Sequence, residues 1–211
     1  GYKSEFNFFK NLLLKNKFPK VLLLTGKKGI GKFTLVNHLM HYYFDRKNYD
    51  EDKNIFGRSS SFHYNFSNNL FTNILHLNGS SFSNIKIEDI RKLKSNLSFS
   101  SINKDKRFII LDDVEIFNIN SLNALLKLIE EPTSNNFFIL INNKSKKLLD
   151  TIKSRSIEIN INLNEERRLN IISTLINIFD QKQIFDKNLV KISPGFFIKF
   201  NHFFEEKKLC I

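Results

Sequence analysis

Three short uninterrupted apolar runs punctuate the chain: Val21-Leu22-Leu23-Leu24, Phe108-Ile109-Ile110-Leu111 and Phe137 to Ile141. A run of that length with no polar interruption is the pattern of a strand buried on both faces of a parallel sheet. Leu75-His76-Leu77 reads as a further short strand, and Ile157 to Ile161 alternates apolar with polar residues, as an edge strand does. Helical spacing fills the intervals. It places Phe6, Phe9, Leu12 and Leu13 on one face over residues 4–15, closed by Pro19, and Leu35, Val36, Leu39, Met40 and Tyr43 on one face from Phe33 to Phe44. Ile87, Ile90, Leu93 and Leu97 predict a third helix. Leu122, Leu125, Leu126 and Ile129 predict a fourth from Ser121 to Glu130, with Pro132 just past its end. Strands alternating with helices over about 160 residues imply a doubly wound α/β domain.

Two segments depart from that alternation. Residues 45–73 begin DRKNYDEDKN and continue Ser-, Asn- and Phe-rich without a sustained period, so they are read as an irregular insertion. From Asn164 onward the pattern is helical only, over Arg168 to Phe179 and Asp186 to Phe204. The expected division is therefore an α/β domain over 1–162, with the insertion at 45–73, and a small all-α unit over 163–211.

Composition narrows the classes. With 211 residues, 41% hydrophobic and 26% charged, the chain is long enough and apolar enough to bury a core. No stretch reaches the roughly 18 apolar residues of a membrane span, and the opening GYKSEFNFFK has no apolar signal segment, so a soluble, cytoplasmic protein is expected. The single Cys210 excludes an internal disulfide and any zinc site built from several thiolates of this chain. A net charge of +12 suggests an anionic partner such as nucleic acid. The abundance of Lys, 28 Asn and 23 Phe beside 7 Gly and no Trp favours residues with A/T-rich codons, however, so base composition accounts for the charge equally well.

The candidate chemistry starts at Gly26-Lys27-Lys28-Gly29-Ile30-Gly31-Lys32, which matches a phosphate-binding loop between a buried strand and a helix. Its glycines let backbone N–H groups turn onto phosphate oxygens, the helix N-terminus adds positive potential, and Lys32 reaches the outer phosphates. The hydroxyl that usually follows and ligates Mg²⁺ is replaced by Phe33, with Thr34 one residue later as the substitute. Asp112 ends the second apolar run, where an acidic residue would hold the Mg²⁺ shell beside the loop. Asp113 follows, where a longer Glu would orient an attacking water, and the shorter side chain would place that water poorly.

Taken with IILDDVEIFNINSLNALLKLIEEP, FFILINN and LLDTIKSRS, the GIGK loop resembles the AAA+ domain of bacterial clamp-loader subunits, most of all the delta-prime type of DNA polymerase III. The resemblance covers roughly residues 1–200, and Leu122 to Pro132 carries its most specific signature. It implies a P-loop NTPase fold with a small helical lid, ATP with Mg²⁺ bound weakly or not at all, and weak or no intrinsic ATPase. It further implies that Asn142 is a sensor of the terminal phosphate. Arg155, in Ser154-Arg155-Ser156, would act in trans as an arginine finger on a neighbour's ATP. Ser193-Pro194-Gly195 is similar to the sensor-2 region, but only Lys199 follows where an Arg is expected. The four-Cys zinc module many relatives carry has no counterpart in residues 45–73, and the sequence ends at Ile211, ahead of the helical collar that the resemblance implies, either as a fragment of a longer chain or with the collar lost.

The implied partners are other clamp-loader subunits, the sliding clamp and primed DNA, with no membrane. The function expected is an accessory subunit that helps load the clamp in DNA replication. Alternatives are an ATP-hydrolysing motor subunit, a small P-loop kinase, disfavoured by the scarcity of Arg, and a non-enzymatic basic DNA-binding module. His38 and His41 read as ordinary helix side chains rather than metal ligands, the phenylalanines as core, and Arg167-Arg168 after Glu165-Glu166 as pairing on a helix surface.

Overall fold

A computed structural model describes residues 2–80, 88–90, 92–93 and 105–207. The apolar runs form a five-stranded parallel sheet in the order β4-β5-β6-β1-β7. Its strands are β1 (Val21–Thr25), β4 (Ile74–Asn78), β5 (Arg107–Asp112), β6 (Asn136–Asn142) and β7 (Ile157–Asn160). β1 and β6, buried at every position, occupy the middle, whereas β7, mostly exposed, is the edge strand its alternation predicts. β6 lies between β1 and β5, so the strand ending in Asp112 stands one strand away from the strand leading into the phosphate loop.

Helices cover both faces. α1 (Lys3–Leu14) and α2 (Lys32–Phe44) bury Phe6, Phe9, Leu13, Leu35, Val36 and Leu39 against Leu22, Leu24, Ile110 and Ile139. α4 (Ile119–Glu130) and α5 (Asp150–Lys153) bury Leu122, Leu125, Ile129 and Ile152 against Leu23, Ile109, Leu111 and Leu140. Asn118 caps α4 by accepting the Ser121 N–H at 2.8 Å, which starts that helix earlier than its apolar periodicity shows. Because the chain leaves β1 towards one face and β6 towards the other, a crevice opens at the carboxyl ends of these adjacent strands.

The insertion is less irregular than its composition suggests. It forms a two-stranded antiparallel hairpin, β2 (Tyr49–Asp50) with β3 (Ile55–Phe56), and a short helix α3 (Ser61–Ser67) capped by Ser60. Aromatic packing replaces periodicity as the organising force: Phe56 stacks on His41 at 3.8 Å and Phe62 on Phe44 at 5.9 Å. Of the helix expected over 87–97, residues 88–90 and 92–93 are helical, with Ile90 and Leu93 buried, and the others lie outside the described residues.

Helices α6 (Glu165–Ile178) and α7 (Pro194–Glu206) pack on one another through Ile172, Ile176, Phe197 and Ile198. The last helix begins at Pro194 rather than at Asp186, since proline is well tolerated in the first turn and poorly inside. Arg168 organises the segment between them. It is buried, forks onto Glu165 at 2.8 and 2.6 Å, and donates to the carbonyls of Lys187, Val190 and Ile192, so it is an internal tie rather than a surface pair.

Candidate functional site

The loop from Gly26 to Lys32 joins β1 to α2 at the crevice, and three of its glycines meet distinct steric demands. A Cβ on Gly26 would stand 2.4 Å from the Ile161 carbonyl oxygen, while Gly29 and Gly31 hold φ of +80° and +100°. The Gly26 N–H donates to the Asn142 carbonyl at 3.1 Å, tying the loop to the end of β6. Gly31 offers α2 no side-chain cap, so the first-turn N–H groups of that helix are left for a ligand or solvent.

Lys32 is buried, and its ammonium folds back to donate to the Gly26 and Lys27 carbonyls at 2.6 and 2.8 Å. Burial pushes its pKa down to about 8, against the pull of Asp112, Glu115 and Asp113. The ring of Phe33 stacks on His76 of β4 at 4.6 Å and contributes to the core. Thr34 is exposed and borders a cavity of about 410 Å³ with Tyr2, Ile30, His38, Leu175 and Pro194. That volume lies within the range typical of small-molecule sites.

Lys28 reaches across the site. Its ammonium crosses the end of β6 to meet both carboxylate oxygens of Asp113, at 3.0 and 2.9 Å, and the Ser80 hydroxyl at 2.8 Å. Asp113 is buried with φ 54° and also accepts from Ser80 Oγ and, at 2.6 Å, from Asn143 Nδ2. Burial alone would raise its pKa, but the hydrogen bonds from Ser80, Lys28 and Asn143 outweigh it and hold the carboxyl below the usual range. Asp112 accepts the Asp113 N–H at 2.8 Å and Asn143 Nδ2 at 3.2 Å on the same oxygen. Burial, then repulsion from Asp113, pushes its carboxyl up.

The asparagine pair divides its work differently from the sequence reading. The side chain of Asn142 turns onto its own strand end and accepts the Lys144 N–H at 2.9 Å, while Asn143 alone touches the two aspartates. Glu115, another buried carboxylate, accepts the N–H groups of Asn143 and Ser145 at 3.1 and 3.2 Å and the Ser145 hydroxyl at 2.7 Å, fixing that loop. Sequence reading missed Lys28, Ser80, Asn143 and Glu115. The repeated residues Lys27-Lys28 and Asn142-Asn143 hid the choice of side chain. Among the described residues no group of three or more His, Cys, Asp or Glu forms a metal site, and the 3.1 Å approach of the His41 and His63 ring nitrogens is a pair without a third such ligand.

Helix α7 stands on the loop. The Gly195 N–H donates to the Gly29 carbonyl at 2.9 Å, and the Ser193 hydroxyl is buried there without a hydrogen-bond partner among the described residues. Tyr2, in contact with Gly31, also buries a hydroxyl without a hydrogen-bond partner among the described residues.

Arg155 lies elsewhere. It precedes β7, whose Ile157 pairs with Leu22 at the start of the parallel strands, so it sits at the end of the sheet opposite the phosphate loop. Its guanidinium donates to Glu130 at 2.8 and 3.0 Å and to the Thr151 carbonyl at 3.1 Å, with the side chain 37% exposed.

A family model described as DNA polymerase III, delta subunit, matches residues 1–165. The chain belongs to that family. Its curated relatives are named as delta', gamma and tau subunits of DNA polymerase III. The Bacillus subtilis delta' subunit is 28% identical over 149 residues, covering 69% of this chain and 43% of that protein. A gamma subunit from Buchnera aphidicola of Schizaphis graminum is 31% identical over 107 residues, covering 48% of this chain and 30% of the relative. The chain thus spans less than half the length of these curated relatives. Among solved structures, a gamma subunit-related protein of Thermotoga maritima superposes with a TM-score of 0.55 at 20% identity, over 83% of this chain and 53% of that one. The RuvB branch migration motor of the same organism gives 0.52 at 17% identity, over 85% and 51%. These likenesses establish an AAA+-like α/β P-loop NTPase fold.

Proposed function

We propose that the chain belongs to a clamp-loader subunit, an accessory one of the delta-prime type, which lends Arg155 to nucleotide on a neighbouring subunit and does not hydrolyse nucleotide itself. The observation that carries the reading is the position of Arg155. A guanidinium at the far end of the sheet cannot serve its own phosphate loop, and is presented outward instead. Its exposed pair with Glu130 is worth about 0–1 kcal/mol, so surrendering it to a neighbour's phosphate is cheap. Planar guanidinium donors suit the charge that develops on a transferring phosphoryl group.

The subunit's own loop is read as holding nucleotide without turnover. The glycine turn, the open N-terminus of α2 and the adjoining cavity support binding of a phosphate and a base. Against turnover, both oxygens of Asp113 are already bonded twice, by Lys28, Asn143 and Ser80, so that carboxylate has no acceptor left to orient water. The same feature weighs against a motor subunit. On this reading the partners are the other loader subunits, the sliding clamp and primed DNA, in the cytoplasm.

The test is a reconstituted loader carrying Arg155→Ala. ATPase at the affected site should fall by roughly 10³-fold or more, while Glu130→Ala, which keeps the guanidinium, should leave the rate near its starting value. Unchanged turnover with Arg155→Ala sinks the finger assignment.

A further inference from the structure

We propose that Lys28 is the resident cation of the phosphate-loop site, and that the chain takes up nucleotide without a divalent metal ion. The inference rests on the reading that the loop holds a nucleotide, and three observations carry it. A buried carboxylate needs a counter-charge, and Asp113 already has one in the Lys28 ammonium, which bonds both its oxygens at 3.0 and 2.9 Å. The hydroxyl position next to Lys32 is filled by Phe33, committed to a stack on His76, and Thr34 lines the cavity with Tyr2. Asp112 spends one oxygen on the Asp113 N–H and Asn143, which leaves its Oδ2 as the one acceptor of the acidic pair outside these bonds. In a phosphate site Mg²⁺ keeps several waters and takes one or two carboxylates beside the phosphates; here one carboxylate is already held by an ammonium and no hydroxyl directly follows Lys32. These residues do not fit it.

What they fit is a polyphosphate met by two ammonium groups from the same loop. Lys32 is buried at the base of the loop and Lys28 is 44% exposed at its rim, on a flexible stem long enough to exchange the Ser80 hydroxyl for a phosphate oxygen while it keeps Asp113. The conformation with Lys28 on Asp113 and Ser80 is then the unliganded resting arrangement, and a divalent ion and Lys28 compete for one carboxylate.

Calorimetric titration of the chain with ADP, in EDTA and in excess Mg²⁺, tests this directly. Affinities within about threefold of each other are expected, and a preference for Mg²⁺ above about tenfold overturns the proposal. Lys28→Met, which removes the ammonium at similar bulk, should weaken binding in EDTA by about tenfold or more and make it respond to Mg²⁺. The wild-type comparison stands whether or not that variant folds. If ADP binds under neither condition, the nucleotide reading itself fails, and Mn²⁺ titration followed by water-proton relaxation decides the role of Lys28 separately. Mn²⁺ bound by Lys28→Met and not by wild type sustains the resident cation; equal binding by both, or by neither, removes it.

Discussion

Replacing Gly29 by Ala probes the contact between α7 and the phosphate loop, because the three nearest atoms a methyl group would meet belong to Phe196 of α7 and to Ser193, the residue that leads into it. The Cβ would lie 2.4 Å from Ser193 Oγ, with Phe196 Cδ2 at 3.3 Å and the Phe196 N at 3.4 Å closing the other sides. Three contributions set the magnitude. Alanine at φ +80° costs about 1–2 kcal/mol, and its stiffer unfolded chain returns about 0.4–1 kcal/mol. Retreat of α7 to relieve the 2.4 Å contact breaks the Gly195 N–H bond to the Gly29 carbonyl, worth about 1 kcal/mol. The net loss is about 2 kcal/mol, equivalent to a fall in melting temperature of about 4–8 °C for a chain of this size. Urea denaturation followed by circular dichroism measures the first figure and a thermal scan the second. Adding Ser193→Gly removes the atom at 2.4 Å and should recover about 1 kcal/mol, leaving the backbone cost. Gly29→Ala within about 0.5 kcal/mol of wild type, or a double variant no more stable than the single, would refute the docking of α7 on the loop.

Other perturbations follow from the same contacts. Lys32, with a pKa held down at about 8 by burial, binds fewer protons folded than unfolded between pH 8 and about 10.5, so stability should rise with pH across that window. Lys32→Met should reduce the rise but not abolish it, since Lys20 and Lys106 are lowered too; a urea midpoint that is flat or falling from pH 8 to 10 in wild type contradicts this. Tyr2 and Tyr49, pushed up to about 12 by burial, act in the opposite sense, and stability should drop above about pH 10 as the unfolded tyrosines ionise first. Arg168→Gln strands the buried carbonyls of Lys187, Val190 and Ile192 and should cost about 3 kcal/mol in urea, and Arg168→Lys nearly as much because a point charge cannot reproduce the fork. Glu115→Gln gives up acceptor capacity beneath Asn143 and Ser145 and should cost about 1–2 kcal/mol, read by the same method.

The buried strands were legible because the middle of a parallel sheet excludes water from both faces, which leaves β1, β5 and β6 no freedom to alternate. The glycine loop was legible for a related reason, as few residues besides glycine tolerate the angles and close approaches found at Gly26, Gly29 and Gly31. Short motifs also located Asp112, Asp113 and Arg155, each tied to the end of an element with a recognisable pattern. The insertion resisted reading, since its hairpin and α3 are held by ring contacts such as His41 on Phe56, which have no period. Arg168 looked like a surface partner of Glu165 because the spacing of three is the same whether a helix face is wet or covered.

Local sequence thus determined which segments are strands and helices, where the chain must turn on glycine, and which charged groups stand at strand ends. Tertiary structure alone decided that β6 separates β1 from β5, that Lys28 rather than Lys27 spans that strand to Asp113, that Asn143 rather than Asn142 joins the aspartates, and that Arg155 faces away from its own loop. The difference is physical: periodicity and φ are imposed by neighbours a few bonds away, whereas the pairing of an ammonium with a carboxylate depends on which loop ends the strand order brings within about 3 Å.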